Sequence, residues 1–150
     1  MSVVLPMVGM FYNHKEKKIF FADGENNKWI FVYHQRDVAV WESLKDVKAG
    51  GVVGSMTQKS DGFCHGVFDL NKDSHLKNMF KIFKKNLFPS FYEVEEKEER
   101  EILKVKIIQG KIILKDSFSE KILGEFEPNI KGIEGLIEKA TFEIKKYCSS

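Results

Sequence analysis

Apolar and polar residues alternate along most of the N-terminal half of the chain, a pattern typical of half-buried β-strands. Strand-like runs lie at residues 3–12, 18–22, 28–34, 38–42 and 63–70. Polar and glycine-containing segments separate the first three runs and predict two hairpins. Residues 45–62 carry no clear periodicity and contain four glycines, so we expect a loop there.

Two later segments carry apolar residues at the spacing of an amphipathic helix. The first spans about 73–87, and Asp73 or Ser74 is expected to cap its N-terminus. The second spans about 130–147, with Asn129 as its cap. Gly132 and Gly135 each cost this second helix about 1 kcal/mol relative to alanine. Packing against other elements must therefore stabilise it.

Three short alternating runs lie between these helices, at residues 102–108, 111–115 and 122–126. They predict a meander, with Gln109-Gly110 as its first turn and residues 116–120 as its second. Residues 91–94 can begin one more strand. The chain is thus expected to be α+β, with a largely antiparallel, curved sheet of roughly seven to nine strands and the two helices packed against it. Its 150 residues fit a single domain, 1–150.

The most unusual strand is the run at residues 28–34, because alternation places Trp29, Phe31 and Tyr33 on one face. This face either packs in the core or stays open to stack on a flat ligand. Two apolar helix stripes are available to cover it, which favours the core. Four strands followed by a helix, repeated twice, resemble in layout the Whirly and related single-strand-binding folds. That resemblance covers element order only and implies stacking on unpaired bases.

The overall charge does not indicate a general polyanion binder, since 24 basic residues nearly balance 22 acidic ones for a net charge of +2. The apolar run at residues 3–12 is about half the length of a membrane helix. No basic residue precedes it, so we expect no secretory signal and a cytoplasmic protein. Cys64 and Cys148 form neither a metal-binding spacing nor a dense disulfide framework, and we expect two reduced thiols.

Residues that could carry catalysis are scattered. The four histidines show no i, i+4 pair that could share a metal. Cys64 and His65 are adjacent in a strand, so their side chains point to opposite faces and cannot form a nucleophile and base pair. The glycine run at residues 50–55 lacks the lysine that follows in a phosphate-binding loop. We therefore predict no catalytic residue, no metal and no cofactor.

Two charged segments are the stronger candidates for function. The glutamate segment, residues 93–101, has a charge of −4, from six glutamates against Lys97 and Arg100. Its tip is expected to be an exposed turn. The lysine face of the first helix lies opposite its apolar stripe and is expected to be solvated. The predicted partner-binding residues are Glu93, Glu95, Glu96, Glu98, Glu99 and Glu101 in the first group, and Lys77, Lys81, Lys84 and Lys85 in the second.

These patterns favour a non-enzymatic module that captures one protein partner through charged patches, for example an inhibitor or an immunity protein (antitoxin) against a toxic, basic nuclease. The alternative is a single-stranded nucleic-acid-binding protein. In that case Trp29, Phe31, Tyr33 and Trp41 would stack on bases while lysines follow the backbone.

Overall fold

The computed structural model describes residues 7–13, 18–23, 30–31, 57–58, 63–99 and 101–149. Its first sheet has five antiparallel strands in the order β3-β2-β1-β5-β4. These strands are β1 (Met7–Asn13), β2 (Lys18–Asp23), β3 (Ile30–Phe31), β4 (Thr57–Gln58) and β5 (Phe63–Asp69). β1 is central because it pairs with β5 along its whole length and with β2 from Val8 to Asn13.

The second sheet is a three-stranded meander that agrees closely with the expected one. It consists of β6 (Leu103–Ile108), β7 (Lys111–Asp116) and β8 (Ile122–Phe126). Gln109 and Gly110 both have positive φ, 51° and 75°, as a two-residue hairpin turn requires. Leu103 and Val105 are buried, while Lys104 and Lys106, which follow them, are exposed; this confirms the predicted alternation along β6.

Three helices are described. α1 (Asp73–Leu87) is followed at once by α2 (Pro89–Lys97), and α3 (Ile130–Cys148) closes the chain. Pro89 ends α1 because it cannot continue the hydrogen-bond ladder, and it suits the first turn of α2 for the same reason. None of these helices is both long enough and apolar enough to span a bilayer.

The helix ends differ in how well they match the sequence pattern. Asn129 caps α3 as predicted, with its side-chain oxygen accepting from the N–H of Gly132 at 2.8 Å. For α1 the predicted caps are wrong, because Lys72 holds the N-cap position and makes no side-chain cap bond. The carboxylate of Asp73 instead accepts from the N–H of Ile107 in β6 at 3.0 Å, which ties the start of α1 to the second sheet.

One continuous apolar cluster joins both sheets and all three helices. It contains Tyr12 from β1, Phe83 from α1, Phe91 from α2, Leu114 from β7 and Leu136 from α3. The hydroxyl of Tyr12 also donates to the backbone carbonyl of Asn86 at 2.6 Å. The first sheet and α1 are therefore joined by both apolar packing and a hydrogen bond.

The α+β class and the antiparallel pairing are confirmed, but other parts of the expected architecture are wrong. The described strands form two small sheets rather than one large sheet, and there is a third helix, α2, where residues 91–94 were expected to begin a strand. Residues 57–58, expected in a loop, form β4. The repeated Whirly-like order is absent from the described part of the chain, since three strands, not four, separate α2 from α3.

Candidate functional site

A buried ion pair between α1 and α2 organises the candidate site. The ammonium nitrogen of Lys84 lies 2.7 Å from Oε2 of Glu95, and both side chains are only 4% exposed. Oε1 of Glu95 accepts from the backbone N–H groups of Ile102 and Leu103, each at 3.1 Å. A single carboxylate therefore connects α1, α2 and the start of β6.

Local sequence explains how these two charges come to face each other. Phe91 and Glu95 are four residues apart and form the buried face of α2. Lys84 lies four residues after Phe80, and its ammonium nitrogen is 5.0 Å from the centroid of that ring. An isolated buried charge would be costly, but here the ion pair, the two N–H donors and the aromatic ring offset that cost.

An open cavity of about 290 Å³ adjoins this ion pair, and we call it the acidic pocket. Its lining consists of Lys81, Lys84, Tyr92, Glu95, Glu96, Glu99 and Glu101. Among the described lining residues, four glutamates against two lysines give a formal charge of −2. Because Lys84 and Glu95 neutralise each other, the accessible part carries Lys81 against three exposed carboxylates.

The acidic pocket brings together residues that the sequence placed on two separate surfaces. Lys81 and Lys84 from the lysine face meet four of the six glutamates of the glutamate segment. The remaining predicted residues, Glu93, Glu98, Lys77 and Lys85, are exposed outside this lining.

Two of the sequence expectations about these residues are wrong. Lys84 is not on a solvated face, and Glu95 is not in an exposed turn. The sequence contained a signal for the burial of both residues, because each follows a buried phenylalanine by four positions and so shares its helix face. The larger part of the glutamate segment is helical, since α2 extends to Lys97.

A second ion pair lies at the start of α1, where the ammonium nitrogen of Lys77 is 2.7 Å from Oδ2 of Asp73. Partial burial alone would raise the pKa of Asp73. The hydrogen bonds from Lys77 and the Ile107 N–H, helped by nearby lysine charge, outweigh burial and lower that pKa below its ordinary value. The same hydrogen bond raises the pKa of Lys77. The ion pair lies within α1, whereas the hydrogen bond from Ile107 to the other oxygen of Asp73 joins α1 to β6. Neither Asp73 nor Lys77 lines the acidic pocket.

The other candidate residues are placed as follows. Trp29, Tyr33, Trp41 and the glycine run at residues 50–55 lie outside the described residues, and Phe31 is described only as part of the backbone of β3. The stacking alternative therefore stays a prediction. Cys148 is an exposed free thiol. Within the described ranges, no group of three histidine, cysteine or acidic side chains could hold a metal ion.

The chain matches no family model, no curated protein and no solved structure. Three exposed carboxylates beside a fixed, internally neutral ion pair suit the binding of a cationic group.

Proposed function

We propose that the protein is a non-enzymatic binding module that captures one basic protein partner through the acidic pocket. One observation carries this proposal: Glu96, Glu99 and Glu101 share the lining of a cavity whose inner wall is a fully buried ion pair. Three exposed carboxylates therefore lie beside a fixed ion pair, where a partner can reach them.

The charge around the pocket supports fast capture. The glutamate segment has a formal charge of −4, and Glu93 and Glu98 add exposed carboxylates beside those of the pocket. A concentrated negative surface steers a positively charged partner and raises the association rate by about 10- to 1,000-fold at low salt.

The buried pair supports specificity, since it fixes the backbone that carries Glu96, the exposed carboxylate next to Glu95. Glu95 bonds to Lys84 of α1 and to the backbone N–H of Leu103 in β6. These two contacts fix the turn of α2 that carries Glu96. A preorganised surface loses less conformational entropy when its partner binds. The binding energy is then available to select the matching partner.

A toxic nuclease is one partner class that fits this chemistry, because a protein that grips nucleic acid carries a basic surface. In that setting the protein would act as an inhibitor or immunity protein (antitoxin), covering the basic surface of the nuclease. The role requires no catalytic group.

The test is a charge reversal with a matched control. The double variant Glu96→Lys with Glu101→Lys changes the acidic pocket, and Glu125→Lys with Glu138→Lys makes the same charge change at exposed positions elsewhere. Co-purification from the native host should recover one stoichiometric basic protein with the wild type and the control, but not with the pocket variant. Equal recovery with both variants, or no partner with the wild type, would refute the proposal.

A further inference from the structure

A second cavity, of about 240 Å³, shares α2 with the acidic pocket, and we call it the aromatic pocket. Phe91 of α2 and Ile102 and Leu103 at the start of β6 provide apolar walls. Tyr147 near the end of α3 completes them. Phe91 is the residue four positions before Glu95, so one helix contributes to both cavities.

The aromatic walls have defined geometry. The rings of Phe91 and Tyr147 meet edge to face, with centroids 5.3 Å apart and planes at 82°. Phe91 is 2% exposed, whereas Tyr147 is 40% exposed and so reaches solvent at the mouth. A ligand can therefore pack against buried apolar atoms inside and against an accessible ring nearer the surface.

The polar part of the described lining consists of the carboxylates of Asp116 and Glu143 and the ammonium group of Lys146, with a formal charge of −1. Oδ1 of Asp116 accepts from the N–H groups of Phe118 and Ser119, at 2.9 and 3.4 Å. Oε1 of Glu143 lies 3.2 Å from the ammonium nitrogen of Lys139. Within the described part of the chain, these contacts use one oxygen of each carboxylate and leave the other for a ligand.

We propose that the aromatic pocket receives an arginine side chain of the protein partner, an inference that rests on the proposed function. The aliphatic stem would pack against Ile102 and Leu103 while the planar guanidinium stacks on the Tyr147 ring. The five N–H donors of a guanidinium can hydrogen-bond to both carboxylates. An ammonium group has three donors and does so less well. Lys146 is exposed, and a long lysine side chain can keep its charged end in solvent, away from the guanidinium.

The size of the cavity agrees with one side chain. Pockets for drug-sized ligands measure about 300 to 1,000 Å³, and this cavity is smaller. Arginine is also among the residues that most often anchor protein interfaces, and such anchors fill well-packed pockets. The acidic pocket would then mainly raise the association rate, and the aromatic pocket would mainly lower the dissociation rate of the complex.

The experiment uses the full chain labelled for NMR and titrated with N-acetyl-arginine methylamide. The citrulline analogue is the matched probe, since it has nearly the same shape without the charge. We expect saturable shifts of the amide signals of Ile102, Leu103 and Tyr147 with the arginine probe, and binding about tenfold weaker or more with the citrulline probe. Tyr147→Leu and Glu143→Gln should each weaken arginine binding by about tenfold, while Glu138→Gln leaves it unchanged.

Equal shifts with both probes, shifts mapped to other residues, or unchanged binding by both pocket variants would overturn the inference. Dispersed amide spectra of each variant show that it is folded, and Glu143→Gln alters no buried apolar contact. The two proposals fail separately. If the arginine probe does not bind but partner capture still depends on charge, only the inference about the aromatic pocket fails. If the arginine probe binds but partner capture does not depend on charge, only the proposed function fails.

Discussion

Lys84 and Glu95 face each other across α1 and α2, with 2.7 Å between the ammonium nitrogen and the carboxylate oxygen. The second oxygen of Glu95 bonds two backbone N–H groups of the second sheet. These bonds make the pair a structural junction rather than a surface contact. Its removal should affect folding before it affects binding.

The first prediction concerns Lys84→Met, which keeps the aliphatic stem and removes the charge. It leaves the carboxylate of Glu95 buried without its cation, so we expect a loss of about 3 to 5 kcal/mol in the free energy of unfolding. Lys85→Met makes the same change at the exposed neighbouring position and should cost no more than about 0.5 kcal/mol. Urea unfolding of both variants measures the difference, and equal losses would contradict the prediction.

Combining the change with Glu95→Gln tests whether the two charges interact. Once Lys84 is removed, the carboxylate has lost its partner, so neutralising it should cost less than it does in the wild type. We expect the double variant to be more stable than the sum of the single losses predicts, by about 0.5 to 3 kcal/mol. Strict additivity in the same urea experiments would show that the pair contributes no coupling.

A second prediction distinguishes two glycines of α3. A Cβ at Gly132 would lie 1.7 Å from the backbone oxygen of Glu127, whereas at Gly135 the nearest atoms belong to the Phe126 ring at 3.1 and 3.2 Å. Gly132→Ala should therefore destabilise the protein by about 1 to 3 kcal/mol despite its better helix propensity. Gly135→Ala should have a clearly smaller effect, since a ring can shift. Thermal unfolding compares them, and an equal or larger loss at Gly135 would contradict this explanation.

The third prediction is a pH dependence at Asp73. Its pKa is lowered in the folded chain, so its charge stabilises the fold above the unfolded value of about 3.9, and this contribution disappears as the pH falls through the folded pKa. Asp73→Asn keeps an acceptor for Ile107 and removes the charge. We expect a loss of about 0.5 kcal/mol at pH 7, because the pair with Lys77 is partly exposed. Denaturation from pH 7 to pH 2 should show the difference vanish, and a constant difference would refute the assignment.

The fourth prediction follows from the single apolar cluster that includes both sheets. If the chain unfolds as one domain, far-ultraviolet circular dichroism and the NMR amide signals of β1 and β7 should give coincident urea transitions. Leu136 of α3 is fully buried. Leu136→Ala should therefore shift both transitions together and lower the free energy of unfolding by about 2 to 5 kcal/mol. Two separate transitions, of which only one moves, would contradict a single cooperative unit.

Local patterns predicted α1, the meander and α3 well. The bounds of α1, the meander and the Asn129 cap follow from periodicity and from short-range turn and cap chemistry, all of which act within a few residues. The division of the strands into two sheets depends on long-range pairing, which periodicity does not encode. α2 was missed because the glutamates of residues 93–101 suggested a solvated turn, while Phe91 and Glu95 define a buried helix face.

The candidate site was predicted only in part. Composition identified the charged residues, but their assembly into one pocket requires α2 to fold back beside α1 after Pro89. That return places Lys84 against Glu95, and neither residue type by itself indicates burial. The aromatic pocket had no sequence signal, because its walls come from residues that are 56 positions apart along the chain, from Phe91 to Tyr147.

The most direct test of the central claim is the association rate of the captured partner as a function of salt. The screening length falls from about 10 Å at 0.1 M to about 3 Å at 1 M, so steering by the acidic pocket should weaken over this range. At low salt, Glu96→Lys with Glu101→Lys should associate at least about tenfold more slowly than Glu125→Lys with Glu138→Lys, and the two rates should converge at high salt. Equal association rates at low salt would contradict the claim that the acidic pocket captures a basic partner.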